Sequence, residues 1–340
     1  MASKPVNALS DPVTVLDVAR EAGVSASTVS RILNGTARVA ASKRTAVEDA
    51  IRRLEFRPNL SARSLRQGRT MTIGILTQDV ESPFYGRAMS GIEAGLAGSG
   101  YAPIMVSGHW NATEEVERIH VLMARRIDGI VVLNGHMDEA QIVDFARRQP
   151  MAVMGRSIAG HNVRSIKLDQ SAGGYLATRH LLAMGHRRVA HIAGPRDHED
   201  AIERHEGYLR AHQEAGITPE AQLLVQGDFL ETGGLMAMNR LLDGGQPFTA
   251  AFCANDQTAY GARMALYRRG VRVPDDMSLV GFDDLPASAF LTPPLTTVRQ
   301  PLYEMGLYAA QALLQLLGHP AQPVDPPGLE LVVRETTRRL

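Results

Sequence analysis

From Thr70 onward the chain alternates short apolar runs with amphipathic stretches, and no other feature constrains its fold as strongly. TIGILTQ, APIMVS, DGIVVLNG and PMAVMG read as strands. Between them FYGRAMSGIEAGLAGSG, ATEEVERIHVLMARR and MDEAQIVDFARRQ repeat apolar residues at helical spacing. The pattern resumes with helix SAGGYLATRHLLAMGH, strand RRVAHIAG, helix ERHEGYLRAHQEAG, strand LLVQGDF, helix GGLMAMNRLLDGG, strand FTAAFCAND, helix QTAYGARMALYRRG and strand MSLVGFDD. Strands alternating with helices of about 10–15 residues predict parallel sheets with right-handed crossovers. There are enough units for two doubly wound lobes, and such lobes take ligands beyond the carboxyl ends of their strands.

The first seventy residues follow another grammar. In TVLDVAREAGVSASTVSRILN, residues 14–34, Val15, Val18 and Ala19 recur at helical spacing, Ala22-Gly23 interrupts, and Val29, Ile32 and Leu33 form a second apolar face. This predicts helices over about 15–22 and 26–33, capped by Thr14 and Ser25, with Asp17 completing a near capping box. Two short helices around a Gly-containing turn are the helix-turn-helix pattern, whose second helix can enter a DNA major groove. A third helix is expected over about 42–54, with Val47, Ile51 and Leu54 on one face. The segment PNLSARSLRQGR that follows is short, basic and weakly apolar, and reads as a linker or as a helix that forms only on contact with DNA. The expected division is a head at 1–57, a hinge helix or linker at 58–69 and a core at 70–340.

Charge supports that division. The whole chain has 36 Lys and Arg against 36 Asp and Glu. Residues 1–70 hold twelve of the basic residues and six of the acidic ones, so a basic head joins an acidic body. The single cysteine, Cys253, allows no disulfide framework within one chain and reads as a buried structural thiol. MASKPVNALSDP lacks the apolar centre of a signal peptide, and no run approaches the ~20 residues of a membrane span, so a cytoplasmic location is expected. The body has no Gly-rich nucleotide loop, no H-E-x-x-H and no arguable Ser-His-Asp set. His198, His205 and His212 fall seven apart, too widely spaced for adjacent metal ligands, and are expected to be solvated or capping. No enzyme activity, cofactor or metal is expected.

In order of parts and in motif, the chain resembles the lactose/galactose repressor family of bacterial transcription regulators. The shared motifs are DVA..AGVS..TVSR..N, PN..AR.L, GHRRVAHIAGP, AND, VP-DD-SLVGFDD and PPLTTVRQP, and the resemblance covers essentially residues 14–340. The resemblance implies an all-α helix-turn-helix head on a periplasmic-binding-protein-like α/β core of two interleaved, doubly wound parallel-sheet lobes. It also implies a homodimer on near-palindromic operator DNA, controlled by a small effector, most readily a sugar, in the inter-lobe cleft. Repression follows from family habit. The absence of a heptad tail after RETTRRL favours a dimer over a tetramer. A sugar-binding module without operator function is the alternative that the sequence leaves open.

The start of the second helix offers Ala26, Ser27 and Thr28, with Arg31 one turn on. The resemblance assigns base reading to Ala26, Ser27 and Arg31, and a guanidinium can pair bidentately with guanine. Thr14, Ser25, Thr28, Ser30, Asn34 and Arg44 are expected to position phosphates or to cap helices. The family's phosphate contact in the third helix falls on Lys43. Where the family usually has a capping Ser or Thr this chain has Ala40, so Ser42 is expected to cap a helix starting two residues late. In the hinge the family's minor-groove leucine falls on Leu65, with Asn59, Ser61, Ala62 and Arg63 around it.

For the effector the resemblance selects Arg204, Asn255 and Asp283, with Phe229 as an aromatic wall and Phe84 and Tyr85 at the mouth. Arg204 could instead join the lobes as an ion pair, Asp283 could cap the next segment, and Phe229 could be core. Asp256 and Gln257 are weaker candidates. Several relatives carry an Asp at the position of Gly155. Here Gly155-Arg156 loses that carboxylate and brings Arg156 to the pocket. His109 and Trp110 could add a stacking surface, or Trp110 could lie at a subunit interface.

Overall fold

The computed structural model describes residues 13–33, 39–56 and 68–340, and the chain divides into two compact units, Met1–Thr70 and Met71–Leu340. In the first, helices α1 (Val15–Glu21), α2 (Ala26–Leu33) and α3 (Ala41–Arg53) close on a small core of Val18, Ala19, Val29, Val47, Ala50 and Phe56. The sequence encodes both turns of the motif. The Thr14 hydroxyl accepts from the Asp17 backbone while the Asp17 carboxylate accepts from the Thr14 N–H, a reciprocal capping box. Ser25 Oγ accepts from the Thr28 N–H at 3.2 Å and starts α2. The third helix departs from expectation. It begins at Ala41 directly after Ala40, with no side-chain cap, and Ser42 lies inside it.

The second unit contains two sheets. The first is fully parallel, ordered β2 (Ala102–Ser107), β1 (Thr72–Thr77), β3 (Gly129–Leu133), β4 (Met151–Met154) and β5 (Val163–Ile166). The second is ordered β11 (Glu330–Val332), β10 (Thr296–Arg299), β9 (Ser278–Asp283), β8 (Ala250–Cys253), β6 (Val189–Ala193) and β7 (Leu224–Gln226), with only β11 antiparallel. Strands buried on both faces read as continuous apolar runs because helices cover each side. In the first lobe, α4 (Pro83–Leu96) and α11 (Leu302–Leu316) bury Ile73, Ile75, Val131 and Leu133. Helices α5 (Ala112–Ala124) and α6 (Glu139–Ala146) bury Leu76, Ile130, Val132 and Val153 on the other face. In the second lobe, α7 (Gln170–Ala183) and α8 (Glu199–Glu214) cover Val189, Phe252, Val280 and Phe282. Helices α9 (Glu231–Asp243) and α10 (Asp256–Arg268) cover Ile192, Ala251, Cys253 and Leu279.

The lobes are interleaved along the chain. It leaves the first sheet after β5, builds the second sheet through β10, returns to the first lobe as α11, and ends in the second with β11. Cys253 is fully buried, and burial pushes its thiol well up. Among the described residues no helix is long and apolar enough to cross a membrane.

Candidate functional site

On the head, the two caps occupy the hydroxyls of Thr14 and Ser25, and Ser25 Oγ also lies 2.9 Å from the hydroxyls of Ser27 and Thr28. This cluster fixes the first turn of α2 and leaves Ser27 and Arg31 exposed on its outer side. A shallow depression beside them is lined by Val15, Leu16, Ala26, Ser27, Ser30 and Arg31. Leu16, with 65 % of its surface exposed, is an apolar group that periodicity alone did not single out. Lys43 and Arg44 are exposed in the first turn of α3. Asn34, Asn59, Ala62 and Leu65 lie outside the described residues, as does the expected hinge apart from its last two positions.

In the core, a cavity of about 390 Å³ opens between the lobes at the carboxyl ends of the strands. Asp79 and Ser82 follow β1, Trp110 follows β2, and Asn134 and His136 follow β3; from the other lobe come Asp197 and His198 after β6, Phe229 after β7, Asn255 after β8, and Asp283 at the end of β9. Phe84, Tyr85, Arg204 and Gln257 also line it; of the effector candidates, Arg156, the weaker candidate Asp256 and His109 do not border this cavity. Arg156 borders an adjoining compartment of about 190 Å³, together with Gly155 and Glu199.

Arg204 anchors the site. It is 3 % exposed, and its Nε donates to Gln170 Oε1 at 3.0 Å and its Nη1 to the Ala254 carbonyl at 2.7 Å. Its Nη2 stands 3.9 Å from both Asp200 and Asp283, close enough to pair electrostatically and too far to hydrogen-bond. The guanidinium stacks 3.9 Å from the Phe282 ring centroid. Both acid partners belong to the second lobe, so Arg204 does not bridge the lobes. Gln170 Nε2 in turn donates to Gln300 Oε1 at 2.9 Å, and Gln300 Nε2 to Asp283 Oδ1 at 2.7 Å. Arginine, two amides and a carboxylate thus close a buried ring.

Burial pushes the Asp200 and Asp283 carboxyls up to about 6 each, against the pull of Arg204. Burial, followed by the charges of Arg204 and His136, holds His198 down at about 3. Its Nδ1 accepts from the Asp200 N–H at 3.2 Å, which places the proton of the neutral ring on Nε2. His198 therefore caps α8 and also lines the cavity. His212, contrary to expectation, is buried at 1 % exposure with Nδ1 3.0 Å from the Tyr208 carbonyl, while His205 is partly exposed and stacks on the buried His191 at 5.4 Å.

Aromatic rings line the cavity. Trp110 lies 4.6 Å from His198 and 5.4 Å from His136, and His198 meets Phe229 edge-on at 5.1 Å. Phe229 covers Gly194, where a Cβ would come within 2.3 Å of its ring, so that glycine makes room for the wall. Asn255 caps α10 through Oδ1 and donates from Nδ2 to the Phe229 carbonyl, so it fixes the wall as well as bordering the cavity. Asp256 faces away. It accepts from the Leu285 N–H, Ser288 and Thr297, and ties α10 to the β9 and β10 ends. Backbone strain concentrates here too: Trp110, Asn134, Phe229 and Asp283 all have positive φ. His136, Asn134 and Asp200 escaped sequence reasoning. Their one visible signal is position, immediately after a strand or in the first turn of a helix that follows one.

The comparisons match this geometry. Residues 14–59 match the family described as bacterial regulatory proteins, lacI family, and residues 178–337 match a periplasmic binding protein-like domain. The HTH-type transcriptional regulator GalR of Escherichia coli (strain K12) is 37 % identical over 89 % of each chain. The chain belongs to the LacI family of bacterial regulatory proteins. The HTH-type transcriptional repressor PurR of Haemophilus influenzae is 34 % identical over 96 % of this chain and 99 % of that one. Among solved structures, the Lac repressor dimer bound to operator and the anti-inducer ONPF superposes with a TM-score of 0.84 at 29 % identity, covering 96 % of this chain and all of that one. The transcriptional regulator CelR–cellobiose complex gives 0.69 at 33 % identity, covering 95 % and 99 %. As a member of this family the chain is a sequence-specific DNA-binding transcriptional regulator, not an enzyme.

Proposed function

We propose that the protein is a dimeric repressor whose operator affinity is set by a carbohydrate in the inter-lobe cleft. The observation that carries this reading is Arg204. A buried guanidinium presents Nη2 between two carboxylates without hydrogen-bonding either, inside a cavity walled by Trp110, Phe229 and His198. Donors and carboxylates suit hydroxyl groups, and flat rings suit the apolar face of a pyranose. The relatives support both halves, one being a dimer on operator DNA and another a complex with cellobiose. On the head, Arg31 and Ser27 read bases, Ala26 and Leu16 offer apolar contacts, and Ser30, Lys43 and Arg44 position the backbone. Effector and operator affinities are linked, so each alters the other by the same factor.

The test is a gel-shift titration on the upstream region of the protein's own gene and of neighbouring sugar-use genes, with and without a carbohydrate panel. A sugar should change operator affinity at least severalfold. Arg204→Met should abolish that response and keep operator binding. Equal affinity for operator and scrambled duplex, or a sugar response that survives Arg204→Met, overturns the reading.

A further inference from the structure

We propose that the cleft holds two ring subsites and that its effector is a neutral disaccharide, whose second ring sits between Asn134, Arg156 and Trp110. This rests on the carbohydrate reading of the cleft and extends it. The smaller compartment is continuous with the main cavity, because Trp110, Asn134, His136, Asp197, His198 and Asp200 border both. The main cavity lies within the roughly 300–1,000 Å³ of pockets for drug-sized ligands, more than one pyranose requires, and the adjoining compartment extends it past Trp110 toward Arg156.

Asn134 marks the junction. It is 6 % exposed, yet its Oδ1 has no hydrogen-bond partner in the protein. Its backbone is left-handed, with φ +56. Buried polar groups are nearly always paired, so an amide oxygen left without a donor at the border of both compartments points to a partner that arrives with the ligand once the amide turns toward the cleft. The amide occupies space that any side chain at 155 would take. Gly155 has φ +87, and a Cβ there would sit 1.5 Å from Asn134 Oδ1. The polar group missing from the end of β4 is thus replaced by an amide from the end of β3.

The charges select a neutral ring. Arg156 is the single Arg or Lys lining the compartment, beside His136 and His198, and its Nη1 already donates to the Met137 carbonyl. Asp197, Glu199 and Asp200 share the compartment with it; Lys167 is divided between Glu199 and Glu203, at 2.6 and 2.7 Å, and Arg204 between Asp200 and Asp283, at 3.9 Å each. A phosphate or carboxylate substituent would face more anionic than cationic groups, whereas hydroxyls can both donate to the carboxylates and accept from the guanidinium.

The test is calorimetric titration of the full chain with cellobiose, maltose, lactose, melibiose and sucrose, each against its constituent monosaccharides. One disaccharide should bind at least about tenfold more tightly than either of its constituents, the value of one or two well-placed hydrogen bonds. In Asn134→Ala and Arg156→Ala that advantage should fall to within about threefold, with thermal melting and operator binding confirming the fold. A monosaccharide that binds as tightly as every disaccharide overturns the inference and leaves the carbohydrate reading standing. So do variants that weaken one-ring and two-ring ligands by the same factor. If no carbohydrate of either length binds, both fall.

Discussion

Gln300→Leu probes the buried ring that holds the effector site to the segments joining the lobes. Gln170 opens α7 just after the chain leaves the first sheet, and Gln300 immediately precedes its return as α11. Both are 3–5 % exposed, so water cannot replace what the substitution removes. Leucine takes away the bond from Gln300 Nε2 to Asp283 and leaves Gln170 Nε2 without its acceptor. A hydrogen bond to a charged group contributes about 1.5–3 kcal/mol and a neutral one about 0.5–1.5, so the core should lose about 3 kcal/mol. The Gln300 bond also holds the Asp283 carboxyl down against burial, so its titration should move up from about 6. At pH 7 a larger fraction is then protonated, and the midpoint of the effector affinity–pH profile should shift upward. Urea unfolding measures the first effect. Quenching of Trp110, the single tryptophan of the chain and a wall of the cavity, measures the second. Gln170→Leu combined with Gln300→Leu should cost at least about 0.5 kcal/mol less than the two single losses added, because each single change orphans the other's partner. Additivity within about 0.3 kcal/mol would refute the reasoning, since the amides would then be acting separately.

Three further outcomes follow from the same structure. Arg31→Ala should flatten base preference at one position of each half-site by about 1–3 kcal/mol, visible in a competition gel shift against single-base variants; a uniform loss on all DNA would show a phosphate contact instead. Ala40→Ser supplies the cap that α3 lacks and should raise head stability by about 1 kcal/mol, read from the helical signal on melting. His191 is buried and held neutral down to about 3, whereas an unfolded histidine protonates near 6.5. Its contribution is therefore full above pH 6.5 and is lost as pH falls, reaching about 2 kcal/mol by pH 5. In His191→Phe, which keeps the stack on Phe252, the stability deficit relative to the parent chain should shrink between pH 7 and pH 5; a constant difference would mean that the ring titrates normally.

The sequence made some of this legible and hid the rest for physical reasons. Thr14, Asp17 and Ser25 announce their helices because capping is local. The strand and helix alternation is equally local, and the doubly wound lobes follow from it. Strands β5, β10 and β11 are not among the strands read from the sequence because each is only three or four residues long, and VRSI also lacks a continuous apolar run. The return of α11 to the first lobe is invisible in its periodicity, which sets an apolar face but not the sheet that face meets. Within the site, Arg204, Asp283 and Phe229 were found through family position. Asn134, His136 and Asp200 come from separate strands and helices, and what makes them a site is that two sheets align their ends. Ala40 misled in the opposite direction: the missing cap was visible, but α3 starts there regardless, carried by Val47 and Ala50 in the shared core.

The late position of α11 governs how this molecule can be divided. The sheet formed by residues 72–166 is covered on one face by a helix synthesised more than a hundred residues later, after nearly all of the other sheet. A fragment ending after β5 would present Ile73, Ile75, Val131 and Leu133 only partly covered, and a fragment beginning at α7 would carry α11 with no sheet to cover. The first lobe cannot be completed on the ribosome before α11 is made, and the second gains its edge strand β11 later still, so nicking the body at the inter-lobe segments should release no autonomous domain.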